Sequence, residues 1–390
     1  MKRFLLIFFI FTLSFTQRIT AADVIDNPAQ PVTGTHAKQI DRIVKLTEAF
    51  RISDTGGDFF LKKPTKIRVA PDGSIYVMDY SQTAIVKFNA RGEFLTRMVN
   101  KGEGPGELAN LYGFWLGNNE IIAAGFMPVK VIDMDLKGKL IKEFRVNGTE
   151  YFFNFMGRFG GKYYFYIDPL ERGEGLKITQ IRLVSADEKG VITKTGLTFP
   201  VKRVLHSTQR TEKSAISGKT HLFVNIETAH ITRFNYTLTA DNYMYLTTDE
   251  RYLIYQYDFE KDRVVKKFRR QYIPVSYTPN PNDEFVNSPE FKALYKWEHY
   301  ADVQRLLADG VRVWALTSTV DKTRGILVDV FDARGTYIDR FYLQIPTLEY
   351  PDDKVVEHLY YYNGFLYTIE PDDEDNPNIV KYKVENSGSL

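Results

Sequence analysis

The sequence predicts an all-β protein, a six-bladed β-propeller with four antiparallel strands in each blade. Two observations support this prediction: a unit of four short strands recurs along the chain, and its strand runs are rich in β-branched and aromatic residues. The composition of 44% apolar and 14% aromatic residues in a chain of 390 also supplies the core that a folded protein needs.

The first unit, between Thr65 and Arg97, shows the pattern most clearly. Its tight turns contain Gly73 and Gly92, and glycine adopts the positive φ that such turns require. The second strand of this unit recurs at residues 121–124, 163–166, 243–246, 311–314 and 365–368. Six copies indicate six blades. A hairpin within residues 200–230 would make a seventh if it formed a blade of its own.

The two ends of the chain are predicted to meet in one blade. The sixth unit supplies three strands before Leu390, and the segment Arg42–Ser53 is similar to the outer strands of other units. We therefore predict that this N-terminal strand completes the last blade and closes the ring, which removes an exposed sheet edge.

Residues 1–22 have the pattern of a signal peptide. Basic residues at positions 2 and 3 precede an apolar stretch over Phe4–Phe15, and small residues follow at 20–22. The apolar stretch is shorter than the roughly 20 residues that span a bilayer, although a retained anchor is the alternative. We predict a periplasmic or secreted protein with no stable membrane span after cleavage, a flexible lead-in over 23–40 and a propeller over 41–390.

Composition excludes several classes of partner and chemistry. The chain has 51 basic and 49 acidic residues, so its net charge of +2 gives no excess for binding nucleic acid. It has no cysteine, which excludes disulfides, thiolate nucleophiles and Cys-ligated zinc. Neither a Gly-x-Ser-x-Gly motif nor a dinucleotide-binding fingerprint is present.

Connection lengths distinguish the two ends of the predicted blades. The turns after first and third strands are tight, whereas the other connections include every long insertion, at residues 99–113, 168–177, 200–230, 271–300, 318–325 and 371–378. We call this second side the long-loop face and predict that it binds the ligand. The candidate ligand-binding residues on it are Tyr80, Glu103, Asp168, Arg172, Trp297 and Arg324.

One long insertion carries a helix signal near residues 284–300. Ser288, Pro289 and Glu290 are typical of a helix N-terminus, with a capping side chain, a proline at the first position and an acid in the first turn. Phe291 and Leu294 follow at helical spacing. We predict one amphipathic helix that packs its aromatic stripe against the propeller.

The segment Pro64–Leu111 carries a specific combination of motifs. Asp72-Gly73 precedes the second strand, a glycine follows the third, and the string Gly102–Glu107 comes after the fourth. This segment resembles the NHL/TolB-like six-bladed propellers exported by many bacteria, and only the blade periodicity is shared over the rest. The resemblance implies a protein, peptide or glycan ligand on one face of the wheel. Distant six-bladed relatives are metal-dependent lactonases or zinc-dependent lyases, so the fold does not decide the function.

A metal-dependent enzyme is therefore the alternative. His230, His299 and His358 lie near the starts of three successive units, and with Asp79 they are the candidates for holding Ca²⁺ or Zn²⁺ at the channel mouth. A ring of acids after the second strands would consist of Asp79, Asp168, Asp249, Asp321 and Glu370. No histidine pair has the helical spacing of a zinc motif. We predict a non-catalytic binding module that requires no cofactor, with a lactonase-like hydrolase or a lyase as the alternative.

Overall fold

The computed structural model describes residues 23–31, 42–53, 60–126, 128–147, 152–169, 173–213, 220–281, 283–346 and 348–385. Almost all regular structure in these residues is β-strand, so the prediction of an all-β fold is confirmed. The predicted signal peptide, half of the lead-in and Arg172 lie outside the described residues. Within the described ranges, no helix has both the length and the apolar character needed to cross a membrane.

The first two repeat units form two four-stranded antiparallel sheets. Ahead of them lie β1 (Val24–Asn27) and β2 (Ile43–Ile52). The first sheet contains β3 (Pro64–Val69), β4 (Ile75–Asp79), β5 (Ala84–Phe88) and β6 (Phe94–Met98). After the short parallel strands β7 (Asn100–Lys101) and β8 (Glu107–Leu108), the second sheet contains β9 (Gly113–Leu116), β10 (Glu120–Ala124), β11 (Lys130–Asp135) and β12 (Leu140–Arg145).

The third sheet has five strands because its outer hairpin is long. It contains β13 (Phe152–Phe159), β14 (Lys162–Asp168), β15 (Gly175–Ala186), β16 (Ile192–Lys213) and β17 (Thr220–His230). The first part of β16 pairs with β15 and the second part pairs with β17, where Arg203 lies opposite His230. The hairpin predicted within residues 200–230 is therefore an extension of the third sheet and not a seventh blade.

The fourth sheet has one parallel strand added to four antiparallel strands. It contains β18 (Asn235–Leu238), β19 (Tyr243–Thr247), β20 (Ile254–Asp258) and β21 (Arg263–Arg270). β1 pairs in parallel with β21, with Val24 opposite Lys267. The Asn27 side chain donates hydrogen bonds to the carbonyl oxygens of Arg269 (3.1 Å) and Gly335 (3.0 Å). The sequence pattern assigned this segment to a flexible lead-in and did not predict the strand.

The insertion after the fourth sheet contains two short helices, α1 (Glu284–Asn287) and α2 (Pro289–Leu294). Ser288 separates them with an extended backbone, because a residue that precedes proline avoids the α region. Its hydroxyl accepts a hydrogen bond from the backbone N–H of Phe291 at 3.2 Å. Phe291 is buried against Val204 and Ile231, which fixes α2 to the end of the third sheet.

The last two units belong to one eight-stranded sheet. It contains β22 (Val303–Asp309), β23 (Arg312–Asp321), β24 (Gly325–Phe331) and β25 (Tyr337–Gln344), followed after α3 (Lys354–Glu357) by β26 (Tyr360–Tyr362), β27 (Phe365–Pro371) and β28 (Pro377–Val384). β2 joins the two units. Its start pairs in parallel with β25, Ile43 opposite Tyr342, and the remainder pairs antiparallel with β28, Leu46 opposite Val384.

The predicted pattern of four antiparallel strands per blade is thus not kept throughout. Two of the sheets in the described part of the chain have four strands, one has five antiparallel strands, and β1 and β2 each add a parallel pairing. β2 is ten residues long, which lets it pair with two neighbouring strands in succession. Both additions cover strand edges that would otherwise be open.

Apolar and aromatic side chains fill the spaces between consecutive sheets. One cluster joins Tyr76 of β4 to Phe114 of β9, and another joins Tyr164 of β14 to Leu246 of β19. The abundant tyrosines and phenylalanines therefore supply much of the core between sheets, as the sequence predicted.

Candidate functional site

The first strands of neighbouring sheets lie close together. β3 contacts β9 and β26, β9 contacts β13, and β22 contacts both β18 and β26. Pro64, at the start of β3, lies opposite Asp79, at the end of β4, so both are at the end of the sheet that carries the long loops. Residues early in the first strands therefore meet near the long-loop face.

A cavity of about 60 Å³ opens at this end of the molecule. Its walls come from the ends of β17 and β19, the starts of β18 and β22 and the segment after α2: His230, Ile231, Arg233, Asn235, Thr247, Asp249, Trp297, Tyr300, Ala301, Val303, Gln304 and Asp352. This volume holds a few water molecules, so it fits a terminal group of a ligand and not a large ligand as a whole.

Trp297 and His230, two of the residues selected from the sequence, both line this cavity. The Trp297 ring stacks on Tyr277 with 4.8 Å between centroids, and its indole Nε1 is buried without a hydrogen-bond partner. The Thr247 hydroxyl on the same wall also has none. Buried donors without partners are costly, so an acceptor on a bound ligand would stabilise this arrangement.

The other candidate ligand-binding residues lie elsewhere on the long-loop face. Tyr80 is 36% exposed and makes an edge contact with Tyr112, with ring centroids 5.8 Å apart. Glu103 is exposed in the turn between β7 and β8. Asp168 accepts a hydrogen bond from Arg203 at 2.7 Å, and Arg324 donates one to Asp321 at 2.9 Å. The structure does not bring these four into the cavity wall.

The candidate metal ligands are also separated. Asp79 accepts hydrogen bonds from the backbone N–H groups of Lys62 (2.6 Å), Lys63 (3.1 Å) and Gln82 (3.0 Å), so its carboxylate organises the loops around β4. His299 is exposed beside Ser276, whereas His358 caps the C-terminus of α3.

The acids that follow other second strands have partners of their own. Asp249 accepts from the Tyr255 hydroxyl at 2.9 Å, and Glu370 accepts from the Tyr382 hydroxyl at 3.0 Å. These acids hold adjoining strands together and do not converge. Among the residues that the structure describes, no group of three His, Asp or Glu side chains is placed to hold a metal ion.

The rim of the cavity carries an ion pair between Arg233 and Glu357. Burial acts to raise the pKa of Glu357, but the Arg233 guanidinium outweighs it and holds that pKa below its usual value. Burial, together with Arg233 and Arg203, lowers the pKa of His230 to about 4. Burial also lowers the pKa of His358. Both histidines are therefore neutral at pH 7.

A second feature of this end was missed from the sequence. We call Lys66, Arg68, Tyr236, Arg305 and Tyr360 the first-strand cluster, because they come from β3, β18, β22 and β26. The Arg68 guanidinium lies 5.1 Å from the centre of the Tyr360 ring. Burial, with the positive charges of Arg68 and Arg305 as lesser causes, lowers the pKa of Lys66 to about 7. These side chains are half-buried, crowded by protein but still in contact with solvent.

The three cations of the first-strand cluster have no carboxylate partner. Arg68 donates to the carbonyl oxygen of Ile67 at 2.7 Å, and Arg305 makes a long contact of 3.5 Å with that of Leu359. Among the described residues, no Asp or Glu oxygen lies within 4.0 Å of the three charged groups. The alternation of polar and apolar residues over Thr65–Val69 was the available signal, but that pattern alone predicts a face turned to solvent.

Comparison with solved structures shows a shared fold. A protein from Bacteroides fragilis named as an exported protein is 13% identical, with a TM-score of 0.50, and the match covers 93% of this chain and 100% of that one. A DUF4221 family member from Bacteroides vulgatus is 11% identical, with a TM-score of 0.50 and coverages of 89% and 100%. Virginiamycin B lyase from Staphylococcus aureus is 13% identical, with a TM-score of 0.43 and coverages of 87% and 99%.

Sequence comparison gives one clear match. No curated protein matches the chain. The profile of a protein family described as a 6-bladed beta-propeller matches residues 41–271, which is more than half of the chain.

Proposed function

We propose that the chain, which belongs to the DUF5128 family of 6-bladed beta-propellers, is an exported, non-catalytic binding module for a protein, peptide or glycan. The observation that carries the proposal is the cavity at the long-loop face. There Trp297 and Thr247 offer buried hydrogen-bonding groups without partners, beside the aromatic side chain of Tyr300. Aromatic surface with a few fixed polar groups is typical of ligand-binding sites.

The state of the acids proposed to form a metal-binding ring supports binding over catalysis. Asp79, Asp168 and Glu370 each accept hydrogen bonds from neighbouring groups that hold the fold together. A general acid or base must be within hydrogen-bond reach of the reacting group, and these carboxylates are already engaged. We therefore assign them structural roles.

We also infer that the wheel is closed by β2 and is of the NHL/TolB-like type. The antiparallel pairing of β2 with β28, from Leu46 opposite Val384 to Ile52 opposite Ile379, supports closure. The contact between β26 and β3 supports it as well, since these strands belong to the last and first units. The predicted leader over residues 1–22 supports a periplasmic or secreted location.

Ligand screening with a tryptophan reporter tests the proposal. The purified mature protein is applied to an oligosaccharide array and to a displayed peptide library, and each hit is titrated by tryptophan fluorescence. Trp314 is fully buried and Trp115 lies next to the tight turn after β9, so Trp297, which lines the cavity, is the reporter that a ligand would reach. We expect Trp297→Phe to lose the ligand-induced change and Trp115→Phe, the matched control, to keep it. Hits that bind both variants equally would contradict a site at this cavity.

Metal analysis distinguishes the alternative function. The purified protein is analysed for Ca²⁺ and Zn²⁺, and its melting temperature is measured with each ion and with EDTA. We expect no retained metal and no chelator effect, since a ligand that binds only the folded state raises apparent stability. A stoichiometric metal whose removal lowers the melting temperature would replace the binding module with a metal-dependent hydrolase or lyase.

A further inference from the structure

We propose that the first-strand cluster binds an oxyanion, the carboxylate, phosphate or sulfate group of an acidic ligand. The inference rests on the proposed function for the rest of the ligand, which would occupy the neighbouring cavity. The oxyanion site itself depends only on the charges and contacts of the cluster.

The cluster concentrates positive charge in a small space. Lys66 and Arg68 are two residues apart on β3 and therefore project from the same face of that strand. Arg305 comes from β22 and lies close enough for its charge and that of Arg68 to lower the pKa of Lys66. Burial and Arg68 likewise lower the pKa of Arg305 to about 10. Like charges held together in this way are unfavourable unless an anion lies between them.

The nearest acids do not neutralise the cluster. The negative charge of Glu357 acts to raise the pKa of Arg305, but Glu357 already forms an ion pair with Arg233. Asp168 acts to raise the pKa of Tyr166, on which the charge of Arg305 also acts, but Asp168 is bound by Arg203 at 2.7 Å. Each of these carboxylates has a guanidinium of its own, so the charge of Lys66, Arg68 and Arg305 remains uncompensated.

One guanidinium of the cluster has an unused donor. The Nε of Arg305 is buried without a hydrogen-bond partner in the structure. An oxyanion accepts several hydrogen bonds at once, and bonds to guanidinium groups are among the strongest that proteins form. The ring of Tyr360, already in contact with Arg68, limits the space for water around such a group.

The cluster adjoins the cavity. Gln304 and Asn235 line the cavity, and they are the immediate sequence neighbours of Arg305 on β22 and Tyr236 on β18. The positive charge of Arg233, on the cavity wall, contributes to the lowered pKa of Arg305. A ligand that extends from the cavity along these strands would place an acidic substituent near the three cations.

Thermal and calorimetric titrations with simple probes test the inference. Sodium glucuronate is compared with glucose, and sodium sulfate and phosphate with sodium chloride at equal ionic strength. We expect saturable calorimetric binding of glucuronate or sulfate and none of glucose or chloride. Calorimetry decides, because sulfate and phosphate also raise melting temperatures by exclusion from the protein surface. The first pair reports a carboxylate and the second a phosphate or sulfate. Equal responses within both pairs would overturn the proposal.

Variants assign any binding to the cluster. Arg305→Gln is expected to weaken binding at least about tenfold, the effect of losing one charged hydrogen bond. Arg305→Lys, which keeps the charge, is expected to retain part of the affinity and controls for misfolding. Arg91→Gln, at an exposed turn, is expected to bind like the wild type. Unchanged affinity in Arg305→Gln would contradict the proposal.

The outcomes of the two proposals are separable. Oxyanion binding that Arg305→Gln abolishes, with no hit on the oligosaccharide array or in the peptide library, would leave the oxyanion site and remove the proposed function. Binding of a neutral ligand that depends on Trp297, without a response to any oxyanion, would leave the proposed function and remove the oxyanion site.

Discussion

Two groups of charged side chains lie deep in the molecule, and they differ in how their charges are compensated. Asp329 is fully buried and accepts hydrogen bonds from Arg270 Nε (2.6 Å) and from the hydroxyls of Tyr252 (2.8 Å) and Tyr337 (2.5 Å). The cations of the first-strand cluster have no such counter-charge. Burial of a charged side chain therefore does not by itself indicate a binding site. A charged side chain without a counter-charge is the better indicator.

The two groups also differ in their contribution to stability. In the Asp329 group one guanidinium and two hydroxyls donate to one carboxylate, and they connect β21, β24, β25 and Tyr252, which precedes β20. Removal of one member leaves another charge buried and alone, which strongly destabilises the fold. In the first-strand cluster the repulsion between cations is already present, so removal of one cation relieves it.

The largest effect is expected from Asp329→Ala. The substitution leaves Arg270 buried without its counter-charge, and we expect a loss of about 3 to 5 kcal/mol in the free energy of unfolding. Urea denaturation followed by circular dichroism measures this loss. The double substitution Arg270→Met with Asp329→Leu removes both charges and is expected to cost less. A loss below about 1 kcal/mol for Asp329→Ala would show that this group is not a structural requirement.

An effect of opposite sign is expected from Lys66→Met. Between the folded pKa of about 7 and the ordinary lysine pKa of 10.5, the unfolded chain binds more protons than the folded protein. Wild-type stability therefore rises with pH across that window, and the variant lacks this contribution to the rise. Because water in the site screens the charge, we expect Lys66→Met to stabilise the protein by about 1 to 2 kcal/mol at pH 7.

Denaturation curves at pH 7 and pH 10 measure this difference. Lys139→Met, at an exposed position, serves as the matched control and is expected to leave the pH dependence unchanged. A destabilised Lys66→Met variant at pH 7 would mean that Lys66 has a stabilising partner, which would remove the contrast between the two groups.

The smallest effect is expected from Arg334→Gln, which sets the baseline for a surface ion pair. The Arg334 side chain is 81% exposed and pairs with Asp332 at 3.0 Å. Exposed pairs contribute little, so we expect a change within about 0.5 kcal/mol in the free energy of unfolding. The same urea titration measures it. A change as large as that of Asp329→Ala would show that exposure does not separate these pairs.

Much of the fold could be predicted from local pattern. Strands such as Ile75–Asp79 carry their own signal, because β-branched and aromatic runs between glycine turns have few alternatives. The parallel pairings of β1 and β2 carry no such signal, since the backbone N–H and C=O groups of either segment can pair with any open strand edge. Ser288 and Pro289 predicted the N-terminus at which α2 begins, but one helix was expected in the region, so α1 and the end of α2 at Leu294 were not predicted.

The candidate site was only partly predictable. The sequence indicated Trp297 by its place in a long connection and His230 by its place near the start of the fourth unit, and the structure places both at the cavity. Arg305 and Lys66 were missed because a cation on a strand is ordinarily a surface residue. Their importance comes from the contacts of β26 with β3 and β22. β3 lies far from the other two strands in the sequence, so no local pattern predicts that these residues meet.

The position of β2 between β25 and β28 has a consequence for biosynthesis. The strand is synthesised well before its antiparallel partner β28, because most of the described chain lies between the two. Until β28 is made, β2 lacks that neighbour, and a product truncated before residue 377 would expose strand edges prone to intermolecular association. Aggregation of such truncated products is therefore the consequence to expect of placing β2 in this position.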